Sequence, residues 1–483
     1  MNYLESLVYL ESLSPTLEKP TTDRIKLFLA EHGKPQNDYR TFHVGGTNGK
    51  GSTVAILDSV LRARGIRTGR FTGPHLLRWN ERFHVDGEPI SDESFAEYAT
   101  RLRVLSESFG QKHPEIGKLT WFEFITCLAF FYFRDKKVDT AVLEVGLGGR
   151  FDATNVLGDR LACSVITNIS LDHTHILGGT EELIAFEKAG IIQSGKPLVT
   201  GASGAAFDVI SKRASELRAP LIHVTSGKEW QLFAAGAKLR FNEQHIKTSL
   251  DAALANIDFE MSGTPLLGEH QILNARLAFT ALFIAETGLL ETLDAVTDER
   301  TPQKPPSAQP SFFSGWTEGI NAVYWPGRLQ IIDERTIMDG AHNPGGAKAL
   351  RAALDRHFPG RPVLFVLSCF DNKDAGGILR ALCRPEDKIF LCEATTRRAT
   401  YPKTELLNLA RELSAEAEIF DSIAIAFRAA RAALKNSDKE LIVATGSFAT
   451  VRECMQEIGW QKVEDGKNKS VKLDSPESVR RNK

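Results

Sequence analysis

From about residue 40 onward, short β-branched apolar runs alternate with longer segments whose apolar residues recur at helical spacing. Tyr39 to Val44, Ile66 to Thr72, Val138 to Val145 and Cys163 to Ile169 read as strands. Lys50 to Arg64, Asp92 to Phe109 and Thr120 to Arg134 read as helices. Phe83 to Ile90 contains Asp86-Gly87, a dipeptide that tolerates positive φ, and so predicts a hairpin. The alternation predicts an α/β fold with a mostly parallel sheet and helices on both faces. It breaks between Thr297 and Gly315, where Pro302, Pro305, Pro306 and Pro310 stand among Ser, Gln and Lys. That stretch reads as an interdomain linker or long insertion. Leu329 to Ile332, Thr336 to Met338, Pro362 to Leu367, Lys388 to Cys392 and Leu441 to Thr445 then read as strands of a smaller, Rossmann-like α/β domain. Gly466 to Lys483 is polar and charged, and predicts a disordered tail. The expected division is a first domain over 1–298, a linker over 299–322, a C-terminal domain over 323–465 and a tail over 466–483.

Composition narrows this picture modestly. At about 100–200 residues per domain, a chain of 483 residues holds two or three domains. Its 59 basic and 61 acidic residues nearly balance, which gives no electrostatic footprint for nucleic acid or a membrane surface. The cysteines form no C-x-x-C and most lie in apolar runs, as buried thiols of a reducing compartment do. Met1 to Glu5 shows no basic segment before an apolar core, so no signal peptide is expected. The longest apolar run, Phe122 to Phe133, is short for a membrane span and carries Glu123. The expected location is the cytoplasm.

The first chemistry lies in Gly46-Thr47-Asn48-Gly49-Lys50-Gly51-Ser52, between a predicted strand and a predicted helix. Glycines let backbone N–H groups turn toward phosphate oxygens, while the helix N-terminus and Lys50 add positive charge. The usual G-x-x-x-x-G-K-[ST] pattern is not met. Val44 stands where the first glycine would be, Gly51 follows the lysine, and the hydroxyl comes one place later at Ser52. A glycine-rich turn with an incidental lysine is the ordinary alternative.

Gly-Thr-Asn-Gly-Lys-Gly-Ser resembles the compact ATP loop of the Mur ligase superfamily, and within it the folylpolyglutamate synthase/dihydrofolate synthase family. Further segments resemble that family in the same order: Thr72-Gly73-Pro74-His75-Leu76, Asn80-Glu81-Arg82, Leu119 to Glu123, Glu144 to Asn155, Asp172-His173-Thr174 and Phe186 to Ile192. Gly268 to Ala275, Trp325 to Arg328, Met338 to Pro344 and Gly446-Ser447 continue the series. The resemblance spans about residues 9 to 455. It implies an ADP-forming amide ligase that uses Mg²⁺ and ATP, with room for a monovalent cation. The implied substrates are ATP, L-glutamate and dihydropteroate or reduced folates, handled by a monomer.

The chemistry behind that implication is simple. A carboxylate is a poor acyl donor until it is phosphorylated, and phosphoryl transfer needs positioning and charge neutralisation. Glu144, at a predicted strand end, suits hard Mg²⁺, although a polar cap at a sheet edge looks the same. The resemblance adds His173 and Ser52 as metal ligands, together with position 73. The family usually has serine there; Gly73 offers no hydroxyl, so water or Thr72 would have to substitute. Lys188 reads from sequence as a solvated helix lysine, whereas the resemblance implies a carbamylated one. By resemblance Asn274 meets adenine, Arg328 the ATP phosphates and Asp339 the ribose, and His342 and Ser447 receive glutamate. The catalytic set is then Lys50, Lys188, Arg328 and His342. An arginine supplied by the second domain would make catalysis depend on domain closure.

Thr120, Trp121, Phe122, Glu123, Phe151, Asp152 and Ala153, with a stretch resembling Tyr9 to Ser14, are implied at the pterin. Thr120-x-x-Glu123 is equally a capping box, and core packing explains aromatics more often than ligand stacking does. Dual activity, as dihydrofolate synthase and folylpolyglutamate synthase, is the preferred reading. Chain extension alone, a Mur-type ligase for another acid, and a non-catalytic nucleotide-binding regulator are the alternatives.

Overall fold

The computed structural model describes residues 1–14, 21–225, 230–233, 266–287, 315–396, 398–434 and 439–460. Residues 299–314 of the expected linker and the expected tail lie outside them. The chain divides into two units, Met1–Thr264 with His270–Val323, and Pro265–Glu269 with Tyr324–Lys483.

In the first unit β1 (Arg40–Gly45), β2 (Thr68–Phe71), β3 (Phe83–Val85), β4 (Glu88–Pro89), β5 (Thr140–Glu144), β6 (Leu161–Ile166), β7 (Leu198–Thr200), β8 (Leu221–Val224) and β9 (Trp230–Phe233) build one sheet. The order is β4-β3-β2-β5-β1-β6-β7-β8-β9. Pairings from β2 through β8 are parallel, and β3, β4 and β9 are antiparallel additions at the edges. The central strands are buried almost throughout because both faces are covered; every residue of β5 is buried. Asp86 and Gly87 take φ of 53° and 85°, the paired positive values of a two-residue hairpin between β3 and β4.

Register decides where chemistry can sit. Val44 lies opposite Glu144 across β1 and β5, and Gly45 opposite Ile166 across β1 and β6. The loops that follow these three strands therefore leave from one edge of the sheet, the edge where open α/β sheets bind ligands.

Helix Trp121–Asp135 starts where the sequence predicts, because Thr120 and Glu123 complete a capping box. Its Phe124, Phe130, Phe131 and Phe133 are buried in a core with Leu10, Phe28, Phe83 and Phe95. The expected linker over 299–322 needs correction at its end. Trp316–Asn321 is a helix of the first unit, with Trp316 and Ile320 buried. Ser59 Oγ donates to Gly319 O at 2.7 Å, and a side chain on Gly319 would run into the Val60 backbone of helix Lys50–Ala63. The proline content upstream hid the apolar Trp/Ile spacing of this turn.

The second unit holds β10 (Gln330–Asp333), β11 (Thr336–Met338), β12 (Val363–Leu367), β13 (Lys388–Leu391), β14 (Glu416–Ile419) and β15 (Leu441–Thr445), in the order β10-β11-β15-β12-β13-β14. All pairs are parallel except β10 with β11. Strand β14 is short, and its alternation Glu416-Ala417-Glu418-Ile419 turns only the small Ala417 toward the core. It is a mostly exposed edge strand whose Glu416 and Glu418 both reach Lys388 Nζ, at 3.0 and 2.5 Å. The cysteines are free, and all but the half-buried Cys383 are buried, as expected. Among the described residues no helix is long and apolar enough to cross a membrane.

Candidate active site

The chain leaves β1 into residues 46–49 and enters helix Lys50–Ala63, with Gly49 at the N-cap. Gly46 and Gly49 take φ of 133° and 84°, and neither has room for a side chain. A Cβ on Gly46 would strike Thr167; one on Gly49 would strike the Asn274 amide. Asn274 therefore lies against the loop, on a helix (Glu269–Thr287), and holds Gln271 Oε1 at 2.9 Å. Thr47 N donates to Asn168 O (2.8 Å), Asn48 N to Asn168 Oδ1 (2.9 Å), and Thr47 Oγ1 to Ser170 O (3.2 Å). The loop after β6 thus splints the phosphate loop and leads straight to Asp172 and His173. Thr167, Asn168 and Ser170 were not foreseen; polar residues directly after a central strand were the available signal.

Two ammonium groups meet at this loop. Lys50 Nζ donates to Gly46 O and Thr47 O, each at 3.1 Å, and Lys188 Nζ donates to the same Gly46 O at 2.8 Å. Lys188 is buried, contrary to the solvated reading of its helix. Burial, then the neighbouring Lys50 charge, pulls its pKa down to about 7, against an opposing pull from Asp172 and Asp152.

Glu144 ends β5 and is buried. Gly73 N donates to its Oε2 at 3.2 Å, so position 73 orients the carboxylate through its backbone and provides no side-chain ligand. A Cβ there would lie 2.6 Å from Arg82 Nη1, and Arg82 occupies that space, donating from Nε to His75 Nδ1 at 2.9 Å. Thr72, the other hydroxyl beside it, is buried, with Oγ1 donating to Glu81 O at 3.4 Å and its lone pairs uncommitted in that bond. Ser52 is buried in the first turn of its helix. His173 is half-buried, in a left-handed conformation, with its N–H on Asp172 Oδ1 at 2.8 Å. Glu144 and Ser52 offer oxygen donors of the kind that hard Mg²⁺ or Mn²⁺ takes, and His173 an imidazole nitrogen; among the described residues no group of three or more His, Cys, Asp and Glu side chains is gathered closely enough to hold a metal.

The implied pterin residues fall into two groups that the fold brings together. Thr120 N and Oγ1 both donate to Glu123 Oε2 at 2.8 Å, and Arg24 pairs with the same oxygen at 3.2 Å. Trp121 N donates to Ser14 O at 2.9 Å, which attaches the N-terminal stretch. The Phe122 ring fills the space beside Gly146, at the start of the loop that carries Phe151, Asp152 and Ala153. Phe151 is 41% exposed, with the Arg150 guanidinium 4.3 Å from its ring centre. Asp152 is buried, and burial raises its pKa against the hydrogen bonds it accepts.

In the second unit, Asp339 accepts from Leu329 N and Ala341 N, both at 2.8 Å, one on each oxygen, and each oxygen keeps a second lone pair. Arg328 lies 4.5 Å from the centre of the Phe448 ring, and both crowd Gly340. His342 Nδ1 is 2.9 Å from Gly340 O. Ser447 is buried as the N-cap of helix Phe448–Glu457, bonded to Thr450 N at 3.0 Å. One cluster therefore gathers the predicted Arg328, Asp339, His342 and Ser447. Phe448, one residue past the recognised Gly446-Ser447, was missed.

Comparison with known proteins identifies the family. Residues 44–282 match the Mur ligase middle domain, and residues 327–448 the Mur ligase glutamate ligase domain. A Bacillus subtilis dihydrofolate synthase/folylpolyglutamate synthase is 36% identical over 370 residues, covering 75% of this chain and 79% of that protein. The chain belongs to the folylpolyglutamate synthase/dihydrofolate synthase family of Mur ligases. Escherichia coli FolC, solved in complex with DHPP and ADP, is 28% identical with a TM-score of 0.72, over 95% of this chain and 98% of that one. The bifunctional Yersinia pestis enzyme complexed with AMPPNP and Mn ion gives the same identity, TM-score and coverages. Membership makes the chain an ADP-forming ligase of folate metabolism.

Proposed function

We propose that the chain joins L-glutamate to dihydropteroate and to the γ-carboxylate of folates through an acyl phosphate. The observation that carries this reading is the meeting of Lys50 and Lys188 on one carbonyl of a loop whose conformation only glycine permits. Burial and the Lys50 charge draw Lys188 toward its neutral amine, so Lys50 is the cation that a polyphosphate lying against the loop would meet.

The substrate carboxylate oxygen attacks the γ-phosphorus and ADP leaves. The glutamate amine then attacks the acyl carbon, phosphate leaves, and the amine gives up a proton. The loop and Lys50 hold the phosphates. Glu144, Ser52 and His173 hold the divalent metal, which neutralises phosphate charge when bound. Asn274 reads adenine, Arg328 meets the phosphates and Asp339 the ribose. His342 and Ser447 take glutamate, and the segments 120–123 and 151–153 take the pterin. A lysine with a pKa near 7 is substantially neutral at physiological pH, and a neutral amine is what adds CO₂ to become a carbamate. That supports carbamylation of Lys188. The proposed setting is a cytoplasmic monomer.

The test is incubation with ATP, L-glutamate and either dihydropteroate or a reduced folate, followed by product mass. Dihydrofolate from the first and a glutamate-extended folate from the second are expected. No dihydrofolate would reduce the assignment to chain extension, and no amide from either would remove it.

A further inference from the structure

His43 is fully buried in β1, the central strand between β5 and β6, at a position where the neighbouring residues are Phe42 and Val44. A histidine there needs a reason, because burying its polar ring nitrogens is unfavourable unless they are bonded. Its Nε2 lies 2.8 Å from Thr154 Oγ1. Thr154 spends its single hydroxyl proton on Asp152 Oδ1, so its oxygen accepts from His43 Nε2–H. This fixes the tautomer and leaves Nδ1 a bare acceptor, and that atom has no hydrogen-bond partner. Burial holds the ring neutral by pulling its pKa to about 3.

The bond continues into the loop that follows Glu144. Asp152 Oδ1 also accepts from Thr154 N at 3.0 Å, and Oδ2 accepts from Leu147 N at 2.9 Å. One carboxylate thus ties both ends of the segment 147–154, and His43 ties that carboxylate to the sheet. His43 lies three residues before Gly46, on the strand that delivers the phosphate loop. The hydrogen-bond chain His43–Thr154–Asp152 is therefore the side-chain link between the strand carrying the phosphate loop and the loop bearing Phe151 and Ala153.

We propose that His43 and Thr154 are positioning residues: they lock the 147–154 loop to β1, so that a pterin acid held on this loop presents its carboxylate in register with the phosphate loop. This rests on the reading of residues 151–153 as a pterin-binding segment.

The test is Thr154→Val, which keeps the side-chain shape and deletes the hydroxyl, with Thr154→Ser as the rescue. Steady-state KM for dihydropteroate and for ATP are measured separately, with ADP affinity by calorimetry as the check on the nucleotide site. Losing a charge-assisted bond predicts a rise of about 10- to 100-fold in the KM for dihydropteroate, with the KM for ATP and the ADP affinity moving less than about twofold. Thr154→Ser returns the KM for dihydropteroate to within about threefold of the parent. Equal shifts in both KM values, or a folded Thr154→Val with an unchanged KM for dihydropteroate, overturns the proposal. If Thr154→Val does not fold, the same split is read on His43→Leu, which removes the N–H donor and leaves an apolar side chain in the buried space; an unsplit result there overturns it equally. A parent protein that makes no amide product at all contradicts the pterin reading instead, which separates the two failures.

Discussion

The two units surround their implied site residues differently. In the first, the cation Lys188 and the carboxylates Glu144 and Asp152 are buried and held by loop backbone, and burial shifts the pKa values of Lys188 and Asp152. In the second, Arg328 is half-buried on one aromatic face, and Asp339 is oriented by the two N–H groups of its own turn. The first arrangement is preorganised at an electrostatic cost; the second is built from local backbone contacts, with Leu329 held at a φ of 41°. The difference teaches that the phosphate-loop region should be sensitive to charge and pH, and the Arg328 region mainly to the loss of the cation's support.

The sharpest way to break this contrast is at Lys50. Lys50→Ala is expected to lower kcat by about 100- to 1000-fold, as loss of a group aimed at developing charge does. A loss below about tenfold would mean that the loop does not depend on it.

Lys188 tests the electrostatic cost directly. Its ordinary pKa of 10.5 falls to about 7 in the folded chain. Between those values the unfolded lysine carries a proton that the folded one lacks, so stability rises with pH across the window. The penalty is fully present below about pH 7 and fades toward pH 10.5. In bicarbonate-free buffer, Lys188→Met should melt several degrees above the parent near pH 6, and the gap should close by pH 10. A gap independent of pH contradicts the assigned cause.

Phe448→Leu is the smallest expected effect. Removing a cation–π contact of about 0.5–1 kcal/mol should raise the KM for ATP by roughly two- to fivefold without lowering the melting temperature. A change as large as that of Lys50→Ala would erase the contrast between the two units.

Much of this was legible in the sequence, for identifiable reasons. The central strands β5 and β6 are largely apolar runs, β1 shows Phe42 and Val44 directly before the glycine loop, and the helix at Trp121 carries its own capping box, worth about 1 kcal/mol. The phosphate loop, Glu144 and the cluster of Arg328, Asp339, His342 and Ser447 were readable from motif order. Strand β14 was not, because a four-residue Glu-Ala-Glu-Ile alternation whose inward residue is the small Ala417 is a weak signal. The burial of Lys188 was not, because helical periodicity places a residue on a face without saying what lies against it. The role of Gly73 was half legible: its missing hydroxyl is visible in sequence, whereas its N–H on Glu144 and the Arg82 guanidinium beside it require the fold. The His43–Thr154 bond joins residues far apart in the chain and leaves no local pattern at all.

The central claim is that this site activates a carboxylate by phosphorylation. The direct measurement is the fate of ¹⁸O from dihydropteroate labelled in both carboxylate oxygens, turned over with ATP and L-glutamate. The account predicts one labelled oxygen in the released inorganic phosphate and one in the amide of the product. Amide product formed with no label in the phosphate would contradict it.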